Sequence, residues 1–218
     1  MSSPLTLPSW TPQQATALHG LRTALGSFAP TFGQAQSVIE RAQVPSEGIP
    51  EGVHISCELA PPSSQVPAPI HSDSIQPDQV PIFFYSSTLS KSSADANNAI
   101  QVILHVHGGG GVAGHPADQR FIGFFSRMLC ALGEKSAAQG SSTPIIAAPS
   151  YRLATVTENL FPAGLQDLFS AYHHLISQGF VAENITIAGD SAGGNMGACL
   201  NTIIIPVHSS FPTHQLSF

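Results

Sequence analysis

The pentapeptide Gly189-Asp190-Ser191-Ala192-Gly193 fits G-x-S-x-G, a spacing that suits a serine acting as a nucleophile. Such a hydroxyl has to stand on a tight turn between a buried strand and a following helix, clear of the backbone. Glycines two residues before and two after it keep side chains out of that crowded turn. The context agrees, because the apolar run Ile185 to Ala188 reads as a short buried strand leading straight into the motif. A helix starting after Ser191 would also aim its unpaired amides and positive dipole end at an oxyanion forming beside the serine. A second stretch, His107-Gly108-Gly109-Gly110-Gly111, follows the apolar run Ile100 to Val106. Side-chain-free backbone lets amides approach a ligand oxygen, and acyl transfer needs two or three such donors where negative charge appears. A phosphate loop would require G-x-x-x-x-G-K-[ST] or G-x-G-x-x-G. Here Val112, Ala113, Gly114 and His115 follow with no lysine, so the oxyanion reading leads.

Positioning these residues takes a sheet and helices in alternation. Ile100 to Val106 is a nearly continuous apolar run, the pattern of a strand buried on both faces, and Ile145 to Ala148 and Ile185 to Ala188 read as short buried strands. Between them, Phe121, Phe124, Phe125, Met128, Leu129 and Leu132 recur at helical spacing, as do Leu165, Leu168, Phe169, Tyr172, Leu175 and Ile176 before Gly179. Strand, helix, strand, helix, strand with short links predicts a parallel sheet wrapped by helices, an α/β class. Upstream, Val53, Ile55, Cys57 and Leu59 alternate with His54, Ser56 and Glu58, which predicts a half-exposed strand with those four apolar residues on one face. Val80 to Tyr85 predicts another strand. The Pro- and Ser-rich stretch Pro61 to Gln79 and the polar stretch Ser86 to Asn98 read as loops. A helix opening at Thr11-Pro12 and extending to residue 26, and a second over Gln34 to Ala42, are expected near the start.

Composition narrows the function classes. Of 218 residues, 42% are hydrophobic and only 9% charged, which argues against intrinsic disorder. With 19 Gly and 18 Pro the chain should be rich in turns. Seven basic residues and a net charge of −6 leave no electrostatic footprint for nucleic acid or an anionic membrane. Cys57, Cys130 and Cys199 are odd in number and widely spaced, which suggests neither a disulfide framework nor a zinc site. No carboxylate or cysteine at helpful spacing joins His105, His107 and His115, and no metal is expected. With no signal-like start and no apolar run of about 20 residues, a cytoplasmic protein without a membrane span is expected. Oligomeric state is not legible.

Four motifs in order, His107 to Gly111, Tyr151-Arg152-Leu153-Ala154, Phe161-Pro162-Ala163 with Asp167, and Gly189 to Gly194, resemble the hormone-sensitive-lipase-like branch of the α/β-hydrolase fold. The likeness covers roughly residues 100 to 200. It implies Ser191 as nucleophile and an oxyanion hole made by the backbone amides of Gly109, Gly110 and Ala192. His107, Gly108, Gly189, Asp190 and Gly193 would support them. The implied reaction is hydrolysis of small-molecule carboxylic esters, a carboxylesterase or lipase-like activity without metal or organic cofactor. Two departures stand out: Ser150 where the family usually has an acid before the Tyr-Arg pair, and Thr155 to Asn159 in place of a shorter Pro-Glu.

In this fold the triad runs Ser, then Asp or Glu, then His. Residues 192–218 hold no Asp, Glu, Lys or Arg, and His208 and His214 fall too early for a histidine at the end of a later strand. The chain therefore reads as an α/β-hydrolase core truncated at its C-terminal side, leaving the family pattern near Leu200 and lacking the later strands and helices. The Ile185–Ala188 strand would then be a sheet edge. The organisation expected is an N-terminal helical, cap-like appendage over 1–45, a partial core over 46–200 and an uncharged tail over 201–218. Ester hydrolysis would be impaired without acid and base. The alternatives are a non-catalytic small-ligand-binding protein on the same scaffold and a non-functional truncated product.

Overall fold

A computed structural model of the chain describes residues 11–13, 16, 33–87 and 100–207. The chain divides into two units, Met1–Thr31 and Phe32–Phe218. In the first, Pro12, Gln13 and Thr16 are helical, and the Thr16 hydroxyl donates to the Pro12 carbonyl at 2.9 Å. The rest of the helix expected there lies outside the described residues.

The second unit is built on a five-stranded mixed sheet of β1 (Val53–Ala60), β2 (Val80–Ser87), β3 (Val102–Val106), β4 (Ile145–Pro149) and β5 (Ile185–Gly189), in the order β1-β2-β4-β3-β5. β1 and β2 form an antiparallel pair, β2 runs antiparallel to β4, and β3 is parallel to both β4 and β5. The connections are α2 (Gln119–Gln139) between β3 and β4, and α3 (Ala163–Ser177) between β4 and β5; α4 (Ala192–Val207) follows β5, and a short α1 (Val38–Arg41) precedes the sheet. The second step crosses β3 in the opposite direction to the first, and right-handed crossovers then require α2 and α3 on opposite faces. The packing fits this requirement. Leu104, Val106, Ala147, Ile185 and Ile187 join Leu168, Phe169, Tyr172 and Leu200 in one core, whereas Ile103, Ile146, Phe83 and Tyr85 join Phe121, Phe125 and Leu129 in the other. Alternate residues of β2, β3 and β4 supply the two cores, as the pleat demands, while β5 feeds only the first.

Three expectations change. Leu59 does not share the burial of its face: the core under α2 takes in Val53, Ile55 and Cys57 and stops short of it, leaving it 46% exposed on an edge strand. The stretch Pro61 to Gln79 contains a 3-10 turn at Ala68–Ile70 that drops Ile70 into the core, and Ser86 and Ser87 extend β2 rather than opening a loop. The helix foreseen over Gln34 to Ala42 contracts to α1, where Ser37 and Glu40 cap each other reciprocally. Residues 88–99 lie outside the described residues. Among the described strands β5 stands at the sheet edge.

Candidate active site

β3, β4 and β5 end side by side, and the segments leaving them meet at the point where strand order reverses, the place where open α/β sheets bind ligands. Ser191 follows β5 directly. It takes φ of 52°, a left-handed conformation uncommon for a non-glycine residue, and its side chain is exposed. Its neighbours explain the flanking glycines. A Cβ on Gly189 would sit 2.6 Å from the Gly193 carbonyl carbon, and one on Gly193 only 2.1 Å from the Val106 oxygen. Any side chain at either position would push α4 off β3 and β5. Gly193 and Asn195 amides turn back to the Asp190 and Ser191 carbonyls at 2.8 and 3.3 Å, starting α4 immediately after the serine.

The glycine loop is fastened to this turn. The Gly108 amide donates to Asp190 Oδ1 at 2.8 Å, a bond that joins the end of β3 to the residue before Ser191. Beyond it Gly109, Gly110 and Gly111 take φ of 118°, 68° and 74°, and the Val112 and Ala113 amides close on the Gly109 carbonyl at 3.2 and 3.0 Å. The Ala154 amide, from the connection after β4, reaches the Gly111 carbonyl at 2.8 Å. Among the described residues the amides of Gly109, Gly110 and Ala192 donate to no acceptor. Three unspent donors thus lie on the two segments that the Asp190 side chain ties together.

His107 lies beneath the loop, 1% exposed, its ring stacked on Tyr151 at 4.3 Å with Nδ1 donating to the Gly108 carbonyl at 2.8 Å. The Tyr151 hydroxyl in turn donates to the His107 carbonyl at 2.8 Å. Burial pushes the His107 imidazole down to about 4, so it is neutral at pH 7 and braces the loop. His105 is enclosed by Phe121, Phe124 and Phe125, and His115 Nε2 pairs with the Arg41 carbonyl at 2.9 Å. Among the described residues no histidine is hydrogen-bonded to Ser191. His208 and His214 lie outside them.

Behind the site sits a buried charge cluster that sequence reasoning found only in part. Asp167, 0% exposed, accepts from the Arg152 amide at 2.7 Å and from its guanidinium, with Nη2 at 2.8 Å. Burial lifts the Asp167 carboxyl to about 6 against the pull of Arg152, leaving it an anion at pH 7. Arg152 also reaches the Gln76 and Ala163 carbonyls, and Gln166 reaches those of Ile70 and Ile75. This locks the connection after β4 to α3 and to the loop before β2. The missed member is Arg41 of α1, 3% exposed, with Nη1 3.7 Å from Asp167 and its fork on the Ser150 and Gln79 carbonyls. Nothing in its sequence surroundings marks it except the Ser37–Glu40 capping box.

Thr155 to Asn159 form a closed turn. Thr155 Oγ1 accepts from the Glu158 and Thr157 amides at 2.8 and 3.3 Å, the Thr155 amide donates to the Glu158 carbonyl at 2.9 Å, and Asn159 Nδ2 donates to the Leu153 carbonyl at 3.2 Å.

Known proteins place this geometry in context. The sequence pattern of the alpha/beta hydrolase fold family matches residues 103–216, beyond the Leu200 at which composition suggests a departure. An acetyl-hydrolase of Streptomyces hygroscopicus is 32% identical over 96 residues, 44% of this chain and 27% of that protein. Among solved structures, an esterase from the bacterial hormone-sensitive lipase family aligns with a TM-score of 0.51 at 21% identity, covering 96% of this chain and 50% of that one. Carboxyl esterase 2 of the mycorrhizal fungus Tuber melanosporum aligns with a TM-score of 0.54 at 16% identity, over 89% and 52%. The chain thus spans about half the length of these solved relatives. With the glycine loop, the serine turn and α4 all inside the matched span, the chain belongs to the alpha/beta hydrolase fold family.

Proposed function

We propose that the chain carries the nucleophile and oxyanion machinery of a carboxylic ester hydrolase of the hormone-sensitive-lipase-like branch, with residues 46–200 as its core and residues 1–45 as a cap-like appendage. The observation that carries this reading is the pairing of a strained, exposed Ser191 with three unspent amides, Gly109, Gly110 and Ala192, on segments joined by the Gly108–Asp190 bond. Ser191 Oγ would attack the ester carbonyl carbon, and the amides would hold the oxygen as it gains charge. Electrostatic holding of this kind contributes about 3 kcal/mol per donor in other hydrolases.

The hydroxyl also needs a base to take its proton. His107 is spent on Gly108 and His115 on Arg41, which favours a 218-residue chain that cleaves esters weakly. Turnover of p-nitrophenyl acetate by this chain is expected to stay near the buffer rate. Robust turnover that Ser191→Ala abolishes would overturn the impairment, and turnover indifferent to Ser191→Ala would overturn the assignment of the nucleophile. Among the described residues no helix is long and apolar enough to cross a membrane.

A further inference from the structure

The solvent side of α2 carries a charge pattern that nothing else in the fold uses. The helix turns Phe121, Phe125 and Leu129 to the core, and on the opposite side Phe124, Arg127, Ala131 and Glu134 are exposed. Arg127 and Glu134 stand seven residues apart, which is two turns, so they share one face about 10 Å apart along the axis. That spacing exceeds the three or four residues at which opposite charges on a helix pair. None of the ion pairs among the described residues uses either of them, whereas Arg120 of the same helix has Asp118 at 3.6 Å. Beside the two charges the helix surface is small: Cys130, Ala131 and Ala137 are all exposed.

We propose that this face is an interface between two copies of the chain, their α2 helices antiparallel across a two-fold axis that passes between Cys130 and Ala131. A two-fold interface has to complement itself. Arg127 and Glu134 lie equally far from that point on opposite sides of it, so the arginine of each copy meets the glutamate of the other. The same operation sets Cys130 against Ala131, Lys135 against Ser126 and Phe124 against Ala137, and no like charges on the two helices meet. Phe124, 44% exposed, thereby gains cover, since Ala137 lines a groove of about 750 Å³ between α2 and the start of β1. Small side chains at 130, 131 and 137 let the two axes approach to the roughly 8–10 Å of packed helices. The inference stands apart from the hydrolase reading and does not depend on it.

The test is sedimentation velocity of the full chain over rising concentration, which should show a monomer passing to a dimer. Arg127→Glu and Glu134→Arg each place two like-charge pairs across the axis, and each should weaken association about tenfold or more. Mixed in equal amounts, the two single variants should associate again, because each supplies the charge that the other lacks. That recovery also shows that both variants fold. The double variant Arg127→Glu/Glu134→Arg should dimerise as the unaltered chain does. A short bis-maleimide should join two copies through Cys130 and fail to join them in Cys130→Ser. A monomer at every concentration, or a dimer that neither reversal weakens, would overturn the interface. Reversals that weaken association without recovery in the mixture would show an effect of net charge and overturn the pairing of Arg127 with Glu134. A dimer that the bis-maleimide does not join would place the contact elsewhere and overturn it too.

Discussion

The glycine loop after β3 and the turn 155–159 are joined by one hydrogen bond, yet they are held in opposite ways. The loop closes on itself only at the Gly109 carbonyl, which takes the Val112 and Ala113 amides, and otherwise depends on its surroundings: Asp190 holds Gly108, Tyr151 holds the His107 carbonyl and supports its ring, and Ala154 holds Gly111. The turn depends on itself, with Thr155 Oγ1 accepting the Thr157 and Glu158 amides and the Thr155 amide donating to the Glu158 carbonyl. Amides kept free for a ligand oxygen, the role proposed for Gly109 and Gly110, cannot stabilise their own loop, so neighbouring elements have to do it. A segment that presents side chains has no such restriction and can close on its own bonds.

The sharpest way to break this contrast is Gly109→Ala. The new Cβ would fall 1.9 Å from the Ala113 oxygen at a φ of 118°, and the loop has no freedom to yield without releasing Asp190 or Tyr151. A loss of about 3–5 kcal/mol in urea unfolding is expected. A loss below about 1 kcal/mol would mean that the loop adjusts freely and is not held from outside.

A proton tests the same bracing. The folded His107 sits near 4 against 6.5 for an unperturbed imidazole, so the unfolded chain takes up a proton that the folded one refuses. Stability should therefore fall as pH drops from about 6.5 towards 4, by about 3 kcal/mol from this residue. Asp167, raised above its usual range, works the other way, its contribution growing as pH falls from about 6 to 3.8. The measurement is accordingly the difference between the unaltered chain and His107→Gln, in which the Asp167 contribution cancels. Parallel pH profiles for the two would sink the assignment.

The smallest effect is expected at the self-held turn. Thr155→Val removes the hydroxyl that accepts the Thr157 and Glu158 amides and should cost less than about 1 kcal/mol, since the freed amides can turn to water. Hydrogen exchange should speed up at those two amides and stay unchanged at Gly108. Faster exchange at Gly108 would show that the turn supports the loop, and the contrast would dissolve.

Legibility in the sequence followed how local each cause is. β3 and β4 are readable because both faces of a strand inside the sheet are buried, and β5 because Ile185 to Ala188 leads straight into the glycines of the serine turn. The serine turn is readable because the clash that demands glycine at 189 and 193 lies within a few residues of Ser191. The bond from Asp190 to Gly108 joins residues 82 apart, and no pattern around either end announces it. Leu59 alternates correctly and is still exposed, because the core that takes in Val53, Ile55 and Cys57 does not extend to it. Arg41 is the extreme case: nothing in a four-residue helix tells that its guanidinium ends up beside a carboxylate from α3.

That arginine also says something about timing. Its bond to the Ser150 carbonyl spans 109 residues, and no chain shorter than that can make it. At roughly 5–20 residues per second of synthesis, Arg41 is exposed for about 5–20 s before Ser150 has even been added. Closing so long a loop costs little more entropy than closing a medium one, since the penalty grows only with the logarithm of length. The delay, not the free energy, is the burden. Until β4 and α3 are made, α1 remains a single capped turn whose charged end has the Gln79 carbonyl but neither Ser150 nor Asp167, and a ribosome-bound chain arrested before Ser150 should leave its Arg41 open to trypsin.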